Sequence, residues 1–196
     1  MEQKIDNVGT LENLKPEAAK NGVGLGLISL VLMIISAYIL IAATSMWTVF
    51  LAPVFLGMLI PLGILIYLSL DLRKKIGGYW NFRQATSGVF IMLLVSYVIS
   101  NVGNYAFTKL IEPDMQTKIQ STVVDVTSNM MLSQGIDQDD VEKKVDEMNA
   151  DFEKKLNGTF MQTLQGHLIG IIIVFVVSLL FGAIFKKEPL KYVIEE

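Results

Sequence analysis

Residues 109–165 read KLIEPDMQTKIQSTVVDVTSNMMLSQGIDQDDVEKKVDEMNADFEKKLNGTFMQTLQ, and they are the only long segment of this chain that water would hold. They lie between two strongly apolar runs, 85–107 and 164–185, and neither run contains Asp, Glu, Lys or Arg. A segment so placed is neither a free domain nor a tail; it leaves one membrane span and returns through the next. Its own periodicity is helical. Pro113 ends the preceding helix and suits the first turn of a new one. Met115, Ile119, Val123, Val126 and Met130 then recur at threes and fours. Gly135 is a natural helix stop, and Asp137 precedes a second helix. That helix carries a narrow apolar seam, Val141, Val145, Met148, Phe152 and Leu156, and ends at Asn157-Gly158. Two amphipathic helices joined by a short Gly turn predict an antiparallel αα-hairpin over 109–163. The seams can bury each other, lie on the membrane or dock on a partner, and mutual burial is the simplest of the three. The methionines read as packing residues, and Asn157-Gly158-Thr159 is a lone glycosylation-type triplet of little weight.

Working outward, residues 22–43 and 49–70 are two further uncharged runs of 22. At ~1.5 Å per residue each spans roughly 33 Å, enough for a bilayer core. The link between them, 44–48, is short enough to join only antiparallel neighbours, and its Trp47 suits the membrane–water interface. Pro61 falls in the middle of the second span, where it leaves the Gly57 carbonyl without a partner and predicts a kink. Residues 1–21 read as a polar, irregular cytoplasmic lead-in. About twenty polar residues ahead of so long an apolar run argue for an uncleaved first span rather than a secretory signal.

Residues 71–84 form a basic loop in which Arg73, Lys74, Lys75 and Arg83, with the aromatics Tyr79 and Trp80, read as interface anchors. Gly77-Gly78 allows the chain to reverse, and Asn81 with Gln84 has capping-box spacing. The third span is the most polar. Tyr97, Asn101, Asn104 and Thr108 recur at i, i+4, i+7 and i+11 and so share one helical face. Lipid does not solvate amides, which leaves two readings open: hydrogen bonds between helices, or a polar ligand site. In the fourth span Gly166, Gly170 and Gly182 share a line with Ser178, a small-residue groove for close helix approach.

Charge sets the expected orientation. The segments 1–21, 71–84 and 186–196 hold ten Lys and Arg against six in the longer 109–165 segment. The positive-inside rule then puts both termini in the cytoplasm and the hairpin outside. The same inventory excludes most chemistry. There is no cysteine and a single histidine, His167, in the fourth span, so no metal ligand set or hydrolase triad can be assembled. His167 itself reads either as a neutral, hydrogen-bonded group or as a pH-responsive one. No Gly-rich phosphate loop occurs, no basic surface is large enough for nucleic acid, and no Asp, Glu, Lys or Arg lies within a span to carry ions. No cofactor is expected.

Several short motifs recur in this order: Asn21-Gly-Val-Gly-Leu-Gly-Leu-Ile-Ser opening the first span, Gly78-Tyr-Trp-Asn-Phe-Arg-Gln-Ala85 opening the third, Ile111-Glu-Pro-Asp114 leaving it, and Phe185-Lys-Lys-Glu-Pro189 closing the last. With the helical insert carrying Met130-Met131 and Gly135, the chain after residue 16 resembles an uncharacterised bacterial membrane family, domain of unknown function 4199. The resemblance implies four spans and an inner-membrane location, and carries over no active residues. The expectation is therefore an all-α integral membrane protein with four transmembrane helices and an extracytoplasmic helical hairpin between the third and fourth. Its segments are 1–21, 22–108, 109–163, 164–185 and a cytoplasmic tail at 186–196. It is expected to be non-enzymatic, its partners being the lipid bilayer and either a membrane or periplasmic protein or a second copy of itself. Interaction through the hairpin is the leading function, and binding of a small molecule or lipid at the polar face of the third span is the alternative.

Overall fold

The computed structural model describes residues 3–188. The regular elements of these residues are helices: α1 (Gln3–Ile41), α2 (Met46–Ala52), a π-helical segment (Pro53–Leu59), α3 (Ile60–Lys75), α4 (Phe82–Leu110), α5 (Met115–Ser133), α6 (Gln138–Leu156) and α7 (Phe160–Phe185). Four stretches are long and apolar enough to cross a membrane: Asn13–Ile41, Met46–Lys75, Phe82–Leu110 and Phe160–Phe185. The tail expected beyond Glu188 lies outside the described residues.

Element boundaries depart from the sequence expectation wherever packing or capping outweighs composition. The lead-in expected to be irregular is helical from Gln3, and Pro16 sits inside α1. Leu14, Ala18 and Leu25 are buried in the same cluster as residues of α3 and α4, which holds the helix together past the proline. The second span starts at Met46 rather than 49, because the Ser45 side chain caps it, accepting from the Trp47 N–H at 3.3 Å. The last span starts at Phe160 rather than 164. Thr159 and Gln162 form a reciprocal capping box there, with the Thr159 N–H donating to Gln162 Oε1 at 2.8 Å and the Gln162 N–H to Thr159 Oγ1 at 3.3 Å. The basic loop also shortens, since α3 runs on to Lys75. Lys75 pairs with Asp71 at 2.9 Å and with Glu17 at 3.4 Å.

The strain expected at Pro61 is resolved by a change of helical register. Over Pro53–Leu59 the backbone winds as a π-helix, and the Ile60 N–H reaches the Phe55 carbonyl five residues back. A wider turn just before a proline separates its ring from the carbonyl that an α-helix would press against it.

The chain divides into two compact units. One comprises Met1–Leu27, Leu62–Ile99 and Ile169–Glu196, the other Ile28–Pro61 and Ser100–Leu168. In the first, α1 and α4 approach closely through small residues. A Cβ built on Gly22 would meet the Met92 backbone at 2.6 Å, and one on Gly26 would meet Ser96 at 3.0 Å. The cluster around Leu65, Leu72, Val89 and Met92 is closed by Trp80, whose side chain is 1% exposed. Phe90 and Phe175 meet edge to face at 5.8 Å, joining α4 to α7.

In the second unit α5 is the central element, packing on α6 on one side and on α2 on the other. Along the two stripes Met115, Val126 and Val141 are buried, while Val145, Met148 and Phe152 are half-buried. Gln120 Nε2 donates to Asn149 Oδ1 at 2.9 Å and fixes the register of α5 against α6. Thr122 Oγ1 donates to the Ile41 carbonyl at 3.1 Å, satisfying one of the free carbonyls at the end of α1. Gly135, at φ +78°, makes the turn into α6, which Asp137 caps through the Asp139 N–H.

Candidate functional site

The C-terminal part of α4 and the first turns of α7 both belong to the second unit, and between them lies an open groove of about 410 Å³. It is lined by Asn101, Val102, Asn104, Tyr105, Thr108 and His167. Three of the four residues placed on one face by their spacing, Asn101, Asn104 and Thr108, are thus in one site with the single histidine. The fourth, Tyr97, is not. It belongs to the first unit, where its ring lies against Gly170: a Cβ on that glycine would meet Tyr97 Cζ at 2.9 Å. Tyr105 joins the groove without having been singled out, since an aromatic in an apolar run gives no sign of which helix it faces.

Helical geometry explains the arrangement. Asn101, Asn104, Tyr105 and Thr108 are three or four residues apart, so their side chains stack along one side of α4. Thr108 Oγ1 shares its proton between the Asn104 carbonyl at 2.9 Å and the Tyr105 carbonyl at 3.2 Å, which ties the hydroxyl to its own helix. The lining offers amides, hydroxyls and an imidazole. No carboxylate, ammonium or guanidinium lines it. Chemically it can exchange hydrogen bonds with a polar group but cannot neutralise a strongly charged one.

The hairpin seam has a different fate. Val141 is buried and Val145 and Met148 are half-buried on a helix that packs on α5, so little of this part of the seam faces outward. Only its last residue, Leu156, remains 52% exposed. Beside the turn that follows, Phe160 and Met161 are also exposed. At the start of α5, Glu112 receives two partners, Tyr38 Oη at 3.4 Å and Lys118 Nζ at 3.1 Å. The hydrogen bond and charge of Glu112 hold the Lys118 ammonium above the ordinary lysine range.

The expected helix-packing glycines separate. Gly182 lies against Thr86 and Gly170 against Tyr97, both as close approaches of α7 to α4, whereas Gly166 has open space around it. A line of small residues shows where a helix can approach, and the other helix must be there to use it.

Trp80 corrects the reading of the basic loop. Its side chain is buried, where an interface anchor would be exposed. Its indole Nε1–H donates to the Phe185 carbonyl at 2.7 Å, and its backbone pairs both ways with Lys187 at 2.9 Å. Arg73 Nη1 reaches the same carbonyl at 3.4 Å. The end of α7 thus has its orphan carbonyl satisfied by a buried indole and a guanidinium. Of the other anchors, Lys74, Lys75, Tyr79 and Arg83 remain exposed, and Lys187 Nζ sits 5.5 Å from the Tyr79 ring centre. Asn81 and Gln84 form the capping box that their spacing predicts, at 2.8 and 2.9 Å.

Comparison with curated proteins and with solved structures returns no match. The model of one family, described as protein of unknown function (DUF4199), matches residues 20–187, which takes in three of the four candidate spans whole and most of the first, and reaches the Lys187 that pairs with Trp80. The chain belongs to that family.

Proposed function

We propose that this is a non-enzymatic protein of the bacterial inner membrane, with both termini cytoplasmic and the α5–α6 hairpin periplasmic, that binds the uncharged polar part of a membrane-resident amphiphile. The binding site is the groove between α4 and α7. The observation that carries the reading is the meeting of His167 with the Asn101 and Asn104 amides in a groove without formal charge. Amides, hydroxyls and an imidazole both donate and accept hydrogen bonds, and an uncharged hydroxyl or amide headgroup matches that lining in kind. The groove volume lies within the usual range for small-ligand sites, roughly 300–1,000 Å³. The orientation rests on the ten Lys and Arg of the three segments outside 109–165 against the six within it.

A diazirine-bearing N-acylethanolamine photolysed in proteoliposomes tests the site. Label is expected on peptides containing residues 101–108 and His167. Asn101→Leu combined with Asn104→Leu should reduce labelling about tenfold with expression and unfolding midpoint unchanged. If the double variant fails to fold, or labels normally, the amides serve helix packing and the reading is wrong. Reporter fusions at Gln134 and after Glu196 test the orientation, and a Gln134 fusion active in the cytoplasm would reverse it.

A second reading, docking of a membrane or periplasmic protein on the hairpin, is favoured by one feature: the exposed Leu156, Phe160 and Met161 where α6 gives way to α7. Photocrosslinking from position 156 that captures only lipid removes it.

A further inference from the structure

A second cavity of about 590 Å³ lies elsewhere in the second unit, between the turn that joins the first two spans and the C-terminal half of α5. It shares no residue with the α4–α7 groove. One wall is soft and apolar: Trp47 and Phe50 from α2, and Met130 from α5. The other carries Asn129, Ser133 and Gln134 along the last turn of α5. Ten residues line the cavity and none of them is ionisable.

Each wall has an ordinary explanation that falls short. An exposed tryptophan at the end of a span is commonly an interface anchor. Here, however, Trp47 is 74% exposed and Phe50 63% exposed along the rim of a cavity, not on a convex surface. Met130 closes the apolar stripe of α5, whose earlier member Val126 is buried, yet it opens into the cavity. The stripe of α5 therefore continues beyond what α6 and α2 cover. Asn129, Ser133 and Gln134 are exposed, and only Ser133 spends its hydroxyl on its own helix, donating to the Met130 carbonyl at 2.7 Å.

We infer that this cavity is a binding site for an uncharged glycerolipid, one acyl chain lying on Trp47, Phe50 and Met130 and the glycerol hydroxyls and ester facing Asn129, Ser133 and Gln134. Three features select this occupant. Trp47 and Phe50 belong to the first turns of the candidate span Met46–Lys75, so a chain lying on them runs on from an apolar helix face. The polar wall holds two amides and a hydroxyl, which match hydroxyl and ester groups in number and kind. The absence of charge from the lining leaves a phosphate or carboxylate without a counter-ion once water is displaced, and disfavours both. The volume suits a glycerol with the first part of one chain rather than an entire diacyl lipid.

The two tryptophans make the test direct, because Trp47 is exposed at the cavity while Trp80 is buried in the other unit. The full-length protein in maltoside micelles is titrated with mono-(9,10-dibromostearoyl)glycerol, and tryptophan fluorescence is recorded. Quenching is expected to saturate at one lipid per chain and to be reversed by unbrominated monooleoylglycerol. Trp47→Phe should abolish it. Asn129→Leu and Gln134→Leu, at exposed positions, should each weaken binding about fivefold, the effect of one net hydrogen bond. Dibromostearic acid at pH 8, with the same chain but a carboxylate, should bind at least tenfold more weakly. The double variant Asn101→Leu, Asn104→Leu should leave this quenching unchanged, which separates the site from the α4–α7 groove. Quenching that rises linearly with lipid without saturating, or that Asn129→Leu and Gln134→Leu do not alter, overturns the inference. Equal binding of the carboxylate overturns its selectivity for uncharged headgroups.

Discussion

Trp80→Phe is the sharpest probe of how the first unit is held together. The substitution keeps a ring in the buried cluster but removes the indole N–H that reaches the Phe185 carbonyl at 2.7 Å. That carbonyl keeps Arg73 at 3.4 Å, so it is weakened rather than orphaned. The lost bond is then worth about 0.6–1 kcal/mol, the lower figure reflecting that a chain unfolded in a membrane also finds partners. Removing a whole buried aromatic costs about 3–5 kcal/mol, and a phenyl ring keeps roughly two-thirds of the ring atoms, which adds about 1–1.5 kcal/mol of lost packing. The expected total is about 2 kcal/mol. Its neighbour Tyr79 is 51% exposed, and Tyr79→Leu should cost less than about 0.5 kcal/mol. The assay is equilibrium unfolding by dodecyl sulfate in mixed micelles, followed by circular dichroism. If the two substitutions prove equal and both small, Trp80 is an interfacial anchor after all and the indole-to-carbonyl clasp contributes nothing to the fold.

Other expected outcomes follow from the same contacts. Gly182→Ala places a methyl against Thr86 and should destabilise by about 1–3 kcal/mol; Thr86→Ala in the same chain should recover part of the loss, because the Thr86 hydroxyl is buried without a hydrogen-bond partner among the described residues. Gly166→Ala, by contrast, should be neutral or stabilising by up to about 1 kcal/mol in the same assay. The Glu112–Lys118 pair makes stability depend on pH in a defined direction. A lysine whose folded pKa is raised contributes fully below its unfolded pKa and loses the contribution as pH rises through the folded value. The unfolding midpoint should therefore fall slightly above about pH 10.4, and Glu112→Gln should remove that part of the fall. Because both partners are partly solvated the effect is small and should shrink in high salt, and a salt-independent fall would assign it to another group. Gly135→Ala meets no steric neighbour but must adopt φ +78°, and should cost about 1 kcal/mol by unfolding midpoint.

What was legible in the sequence was whatever depends on one helix at a time. The four uncharged runs, the stripes Met115–Met130 and Val141–Leu156, the Gly135 turn and the Asn81–Gln84 box all rest on local periodicity or capping chemistry, and each is found as a helical element or cap. What was not legible depends on which helices become neighbours. The 3.6-residue period puts Asn101, Asn104 and Thr108 on one side of α4, but it says nothing about His167 facing them from α7. Trp80 sits among Arg, Lys and Tyr in a short loop, the composition of an interface, and only the arrival of Phe185 buries it. The start of α1 was hidden for a related reason. Leu14, Ala18, Asn21 and Leu25 recur at fours and threes, yet Pro16 and the surrounding charges obscure a stripe that tertiary burial makes decisive. The π-helical segment lay between the two. Pro53 and Pro61 announce a disturbance, whereas the choice of a wider turn over a bend is settled by the backbone around them.

The clasp at Trp80 also constrains the order in which the protein can assemble. Its hydrogen-bond acceptor lies 105 positions further along the chain, with all of α4, α5 and α6 and nearly all of α7 in between. A contact of such long sequence separation closes late, because most of the intervening chain must first be ordered. Until the last helix arrives, the indole and the backbone groups of Trp80 lack the partners that Phe185 and Lys187 supply. Entry of the last helix then closes the loop. The same tryptophan thus serves, at different times, as a waiting surface group and as a core residue, and slowing the insertion of α7 should prolong the first state.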